Sequence, residues 1–128
     1  MYRNLAGLAG RLLLAALFLM DGRAIIANYG GTADYLAQNG VPPRLLPVAL
    51  ATILIGGLLV AAGCWTRAAA LALGGFCIST ALLFHLDFSD FNEQLHFWKD
   101  LAIAGGFLVL FAHGAGRFSV DHLLERMR

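Results

Sequence analysis

Seven ionisable residues stand within or at the ends of long apolar runs: Asp21, Arg23, His85, Asp87, His96, Lys99 and Asp100. Carboxylates, imidazoles and ammonium groups can exchange protons or hydrogen-bond the polar end of a small ligand. In hydrocarbon each such charge costs about 2.5–3.5 kcal/mol, so it marks a ligand, proton or pairing site. Asp21 and Arg23 are two positions apart, about 200° around a helix, and cannot satisfy each other. The expectation is that Asp21 pairs with Lys99 or a histidine, and Arg23 with Asp87 or Asp100. His96, Lys99 and Asp100 share one helical face through their i, i+3 and i, i+4 spacings. The simpler alternatives are interfacial anchors at helix ends and a structural ion pair. No metal site is expected, because no H-x-x-x-H or E-x-x-H spacing accompanies His85, Asp87 and His96.

The elements that must position these residues follow from composition. The chain has 128 residues, 59% hydrophobic and only 13% charged, with a mean hydropathy of +0.73. A soluble fold of this size would lack the polar side chains to cover its surface. A net charge of +1 gives no electrostatic reason for a nucleic-acid partner. Four apolar stretches, Leu5 to Ala27, Leu45 to Ala62, Ala68 to Leu86 and Phe97 to Ala112, each approach the roughly 20 residues needed to cross a bilayer. The expected fold is all-α, a single four-helix transmembrane domain over residues 1–128 with the lipid bilayer as its surroundings.

Punctuation sets the limits. Tyr29-Gly30-Gly31 stops the first helix, Pro42-Pro43 and Pro47 open the second, and Gly63 to Arg67 joins the second and third as antiparallel neighbours. Phe88 to His96 reads as a polar link, and Gly114-Ala115-Gly116 ends the fourth helix. A short outer helix, Thr32 to Gln38, would have Thr32 as its N-cap and Gly40 as its stop. Beyond Ser119, Val120, Leu123, Leu124 and Met127 share one face of an interfacial amphipathic C-terminal helix. The start imitates a signal peptide, but Asp21 and Arg23 follow the apolar run without a cleavage site, so a retained helix is expected.

Basic residues place Arg3, Arg11, Arg67, Arg117, Arg126 and Arg128 on one side, and Arg44 and Lys99 on the other. The positive-inside rule puts both termini in the cytoplasm. The seven candidate residues then gather toward the outer side, where Phe84, Phe88, Phe97 and Trp98 would line an aromatic slot. Three double glycines, Gly56-Gly57, Gly74-Gly75 and Gly105-Gly106, provide small-residue faces for helix packing. Cys64 and Cys77 form no C-x-x-C, which argues against dithiol redox chemistry.

Gly10-Arg11-Leu12-Leu13, Ile55-Gly56-Gly57-Leu58, Phe84-His85, Phe97-Trp98-Lys99-Asp100-Leu101 and Gly114-x-Gly116-Arg117-Phe118-Ser119-Val120-Asp121, in this order, resemble the DoxX family of small bacterial membrane proteins. The resemblance covers nearly the whole chain. It implies a multi-pass protein of the bacterial inner membrane, with family ties to a thiosulfate:quinone oxidoreductase subunit and other redox processes. By position it places the family's polar pattern on His85 and Lys99, with Asp100 where asparagine is common. Ile53 departs from the glutamate found in many relatives three residues before the second helix's double glycine.

Together these readings give a redox subunit or accessory factor that binds a small amphipathic molecule near the outer helix ends, with a quinone as candidate ligand. No covalently bound cofactor is expected, and no independent enzyme, because the chain has no cysteine cluster or nucleotide fingerprint. A redox protein and a second copy of the chain are the candidate partners. The alternatives are a membrane assembly scaffold and a small-solute transporter.

Overall fold

The structure, a computed structural model, describes residues 1–128. Its helices are α1 (Tyr2–Ala27), α2 (Tyr29–Gln38), α3 (Leu46–Ala62), α4 (Thr66–Phe84), α5 (Phe91–His113) and α6 (Val120–Met127), with a 3-10 turn at Pro43–Leu45 before α3. Of these, α1, α4, α5 and α3 with its preceding turn are long and apolar enough to cross a membrane. They run up, down, up and down. One end holds both termini and the other holds α2 and the α4–α5 link.

Only 20 of 128 residues are buried, while Leu13, Met20, Ile55, Leu58, Leu71, Leu82 and Val109 are exposed on the flanks. Such an apolar exterior is stable only against lipid. The thin core joins Ala15 and Phe18 of α1, Ile53 and Val60 of α3, Leu73 and Cys77 of α4, and Ala104 and Phe107 of α5. Phe18 and Phe107 meet across it with ring centroids 5.5 Å apart.

Between membrane helices there is little hydrophobic drive, so close packing decides which faces meet. A glycine stands at each helix contact. A methyl group added at Gly56 would lie 2.9 Å from Leu73, at Gly57 3.1 Å from Leu19, at Gly74 3.3 Å from Phe107 and at Gly106 3.5 Å from Leu14. One glycine in each of two pairs, Gly75 and Gly105, has nothing within 4 Å of where a methyl group would stand and is not a packing residue. The sequence pattern overstated them because adjacent positions lie about 100° apart on a helix and cannot both face one partner. Gly22, outside any pair, is the tightest position, with Leu54 packed directly over it.

Three further boundaries differ from expectation. α5 begins at Phe91, because Asp90 caps it by accepting from the Asn92 amide at 2.9 Å; the expected link through His96 is therefore a turn and a half of helix. α4 ends at Phe84, two residues early, with His85 as its C-cap. α2 starts at Tyr29, so Gly30 and Gly31 lie within it and the chain turns at Asn28. Thr32 is not its N-cap: its hydroxyl donates to the Asn28 carbonyl at 2.9 Å inside the first turn. Gly40, with φ +77°, follows α2 in the left-handed conformation.

The terminal end is held by side chains from distant parts of the sequence. Arg11, 2% exposed, donates to the carbonyls of Ala115 at 2.6 Å, Phe118 at 2.7 Å and Ala61 at 3.4 Å. It thereby joins α1 to the end of α3 and to the link before α6. Asp121 accepts from the amides of Trp65 at 2.8 Å and Thr66 at 3.0 Å, supplying the cap that α4 lacks locally, while its own amide donates to Gly63 at 2.9 Å. These bonds hold Trp65 at φ +48°, a conformation costly for a non-glycine residue. Burial opposes ionisation of Asp121, yet hydrogen bonds from Thr66 and Trp65 and the Arg11 charge outweigh it and hold the carboxyl below its ordinary range.

Two expectations follow, each read from thermal unfolding of the detergent-solubilised protein by circular dichroism. Gly22→Val should destabilise by about 1–3 kcal/mol through overpacking, whereas Gly75→Ala and Gly105→Ala should be neutral or stabilise by up to about 1 kcal/mol. Because the Asp121 carboxyl is depressed in the folded chain, its contribution is complete above its unfolded value of about 4 and is lost as pH falls through the lower folded value. Asp121→Asn should lower stability at neutral pH and flatten that acid limb.

Candidate functional site

At the end opposite the termini, α2 packs over a space between the four membrane helices. The resulting cavity measures about 380 Å³ and is walled by all five of these helices, within the usual range for small-ligand sites. Its lining is mostly apolar, including Phe18, Ile53 and Phe76, and seven residues with polar side chains contribute to it: Asp21, Thr32, Tyr35, Ser79, Thr80, His85 and Asp100. The Thr32 and Ser79 hydroxyls donate to carbonyls one helical turn earlier in the chain. Tyr35 of α2 packs on Phe84, ring centroids 5.3 Å apart, which fastens α2 to the end of α4.

The polar residues form a connected line. Thr80 Oγ1 lies 3.1 Å from Asp100 Oδ2 and 2.9 Å from the Cys77 carbonyl, so its proton has two acceptors to choose between. His85 lies between two carboxylates, with Nε2 3.7 Å from Asp100 and Nδ1 2.8 Å from Glu93. With Glu93 ionised, Nδ1 carries the proton and donates it to this bond. Nε2 then faces Asp100 across a gap slightly longer than a hydrogen bond. The array runs from the cavity wall at Asp100, through His85, to Glu93 in the first turn of α5.

The seven candidate residues therefore separate. Asp21, His85 and Asp100 meet at the cavity. The expected pairs of Asp21 with Lys99 or a histidine and of Arg23 with Asp87 or Asp100 do not form, for the only ion pairs within 4 Å are those of His85 with Glu93 and Asp100. Arg23 and Lys99 are exposed on the bundle surface, where long side chains reach the interface at little cost. His96 stacks outside His85, centroids 5.3 Å apart. Asp87 binds the amide and hydroxyl of Ser89, shaping the α4–α5 link.

The aromatic slot also needs correction. Phe84 lines the cavity, but Phe88, Phe97 and Trp98 do not. These three instead pack edge-on to one another outside, with centroids 5.1 and 5.4 Å apart. Adjacent Phe97 and Trp98 cannot both face inward from a helix that points Asp100 at the cavity.

Glu93, Thr80 and Tyr35 were not singled out from sequence. Glu93, His96 and Asp100 have i, i+3, i+7 spacing, a signal hidden by starting the helix at Phe97. Thr80 and Tyr35 carry no spacing signal, and only the packing of α4 and α2 brings them to the cavity.

Fold and site together define a small multi-pass membrane protein with an apolar cavity, lined in part by the carboxylates of Asp21 and Asp100, away from its termini. The DoxX family model matches residues 6–86. The chain belongs to the DoxX family. It is 40% identical over 119 residues to the inner membrane protein YqjF of Escherichia coli K12, covering 93% of this chain and 92% of that protein. It is also 27% identical over 121 residues to the inner membrane protein YphA of the same organism, covering 89% and 86%. No solved structure matches. The four apolar helices and these relatives make it a multi-pass inner-membrane protein.

Because Lys99 is an exposed anchor without an acidic partner, Lys99→Met should shift stability by less than about 0.5 kcal/mol. Arg23→Gln should behave alike. A loss of several kcal/mol for either, in the same unfolding assay, would restore the buried ion pairs.

Proposed function

We propose that the protein is a membrane subunit or accessory factor for redox chemistry, and that its cavity binds the ring of a quinone-like amphipathic molecule. The observation that carries this reading is one apolar cavity of about 380 Å³ with Asp21, His85 and Asp100 on its wall. A quinone/quinol couple supplies two-electron, two-proton chemistry, for which a site needs an apolar slot and groups that exchange protons. The cavity's acceptor-rich lining suits the hydroxyls of the reduced form. Asp21 and Asp100 accept those hydrogen bonds, and Tyr35 offers its hydroxyl to a carbonyl. His85 takes a proton at Nε2 while Glu93 receives the one on Nδ1, carrying it toward the outer face given by the positive-inside rule. The chain's residues carry no electrons, so a partner redox protein is their acceptor.

The test is equilibrium binding of a short-chain quinol and the matching quinone to the purified protein. The quinol should bind more tightly. Ala49→Phe, which fills the cavity from α3, should abolish binding of both. Asp100→Asn should weaken the quinol by about tenfold, the effect of one lost charge-assisted hydrogen bond. Binding unchanged by Ala49→Phe in a folded protein would contradict the site and leave its polar cluster a helix-packing device.

A further inference from the structure

The terminal end carries a second concave surface. A groove of about 1100 Å³ runs between the start of α4, the α5–α6 link and α6, and Arg67, Arg117, Arg126 and Arg128 line it. None of these four has a carboxylate within 4 Å, since the only ion pairs in the chain involve His85. The groove's own acids do not offset them: Asp121 is occupied by the Trp65 and Thr66 amides, and Glu125 stands alone. Arg67 Nε donates to the Phe111 carbonyl at 3.0 Å, which fixes the guanidinium at the groove while leaving its terminal nitrogens available.

Apolar groups flank this basic surface. Leu123, Leu124 and Met127 are exposed on α6, and Trp65, 71% exposed, projects from the α3–α4 turn at the same end. An amphipathic helix with arginines beside such a face lies in the headgroup layer, and tryptophan favours that depth. A soluble anion would satisfy the arginines but leave these apolar side chains in water. A phospholipid satisfies both, with its phosphate between the guanidinium groups and its chains beside the bundle.

We propose that this groove is a binding site for the headgroup of an acidic phospholipid, seated among Arg67, Arg117, Arg126 and Arg128 with α6 lying on the leaflet beside it. The site is separate from the cavity at the opposite end. Its occupancy adds an anionic lipid to the contacts that hold the α5–α6 link in place.

Native mass spectrometry of the full chain, from micelles holding equimolar phosphatidylglycerol and phosphatidylcholine, tests this directly. Phosphatidylglycerol should be retained preferentially. Each arginine removed should reduce that preference by about fivefold, the equivalent of ~1 kcal/mol per basic residue at an anionic surface. Arg67→Gln with Arg117→Gln probes the groove wall. Arg126→Gln with Arg128→Gln probes the end of α6, where neither side chain bonds within the protein, and decides the matter alone if the first pair fails to fold. Equal retention of the two lipids, or a preference that survives both double variants, overturns the proposal. Displacement of the lipid by millimolar inorganic phosphate would mark a soluble-anion site and overturn it as well.

Discussion

A buried guanidinium organises this bundle. Arg11 sits in the first membrane helix, where an unpaired charge would oppose insertion, and its position is tenable only because three carbonyls from two other segments converge on it. Those carbonyls belong to residues 50, 104 and 107 positions away in sequence. They become available where α3 ends and where the link before α6 leaves helical geometry, and each would otherwise need water. Asp121 completes the arrangement by capping α4 through the chain's left-handed turn at Trp65. Arg11 and Asp121 between them thus hold the four membrane helices together at the terminal end.

The consequence appears at the other end. Glycines bring the helices together through the middle, at Gly22, Gly56, Gly57 and Gly74, and the Arg11 arrangement closes the base. Nothing equivalent ties the opposite end, where His85 bonds only α4 to α5. The space between the α1–α3 and α4–α5 pairs stays open there and is roofed by α2. A carboxylate from each pair, Asp21 and Asp100, reaches that space. The cavity is therefore a product of asymmetric closure, and its polar lining is drawn from both halves of the bundle.

Much of this was legible in the sequence, because bilayer thickness dictates helix length and composition dictates solvent. Four spans, their order and the antiparallel turn at Gly63 follow from apolar runs and glycine or proline punctuation. Asp21, His85 and Asp100 were legible as ionisable residues in costly places. Their partners were not. Opposite charge suggested Asp21 with Lys99, yet a side chain long enough to reach the interface gains more from water than from a buried pair. Glu93 was hidden by a helix boundary, since a cap at Asp90 can start a helix inside a polar stretch that reads as a link. Arg11 and Asp121 were visible as types and as part of the family resemblance, but their roles depend on contacts 50 or more residues apart. No local pattern encodes those.

The closed terminal end leaves a ligand-sized cavity between Asp21 and Asp100 at the other. An experimental structure of the protein in lipid nanodiscs, determined in the presence of a short-chain quinol, tests it most directly. Ring-shaped density is expected beneath α2, within hydrogen-bond distance of both carboxylates, above an intact Arg11 cluster. Apolar side chains filling that space, with Asp21 turned to the lipid, would contradict it.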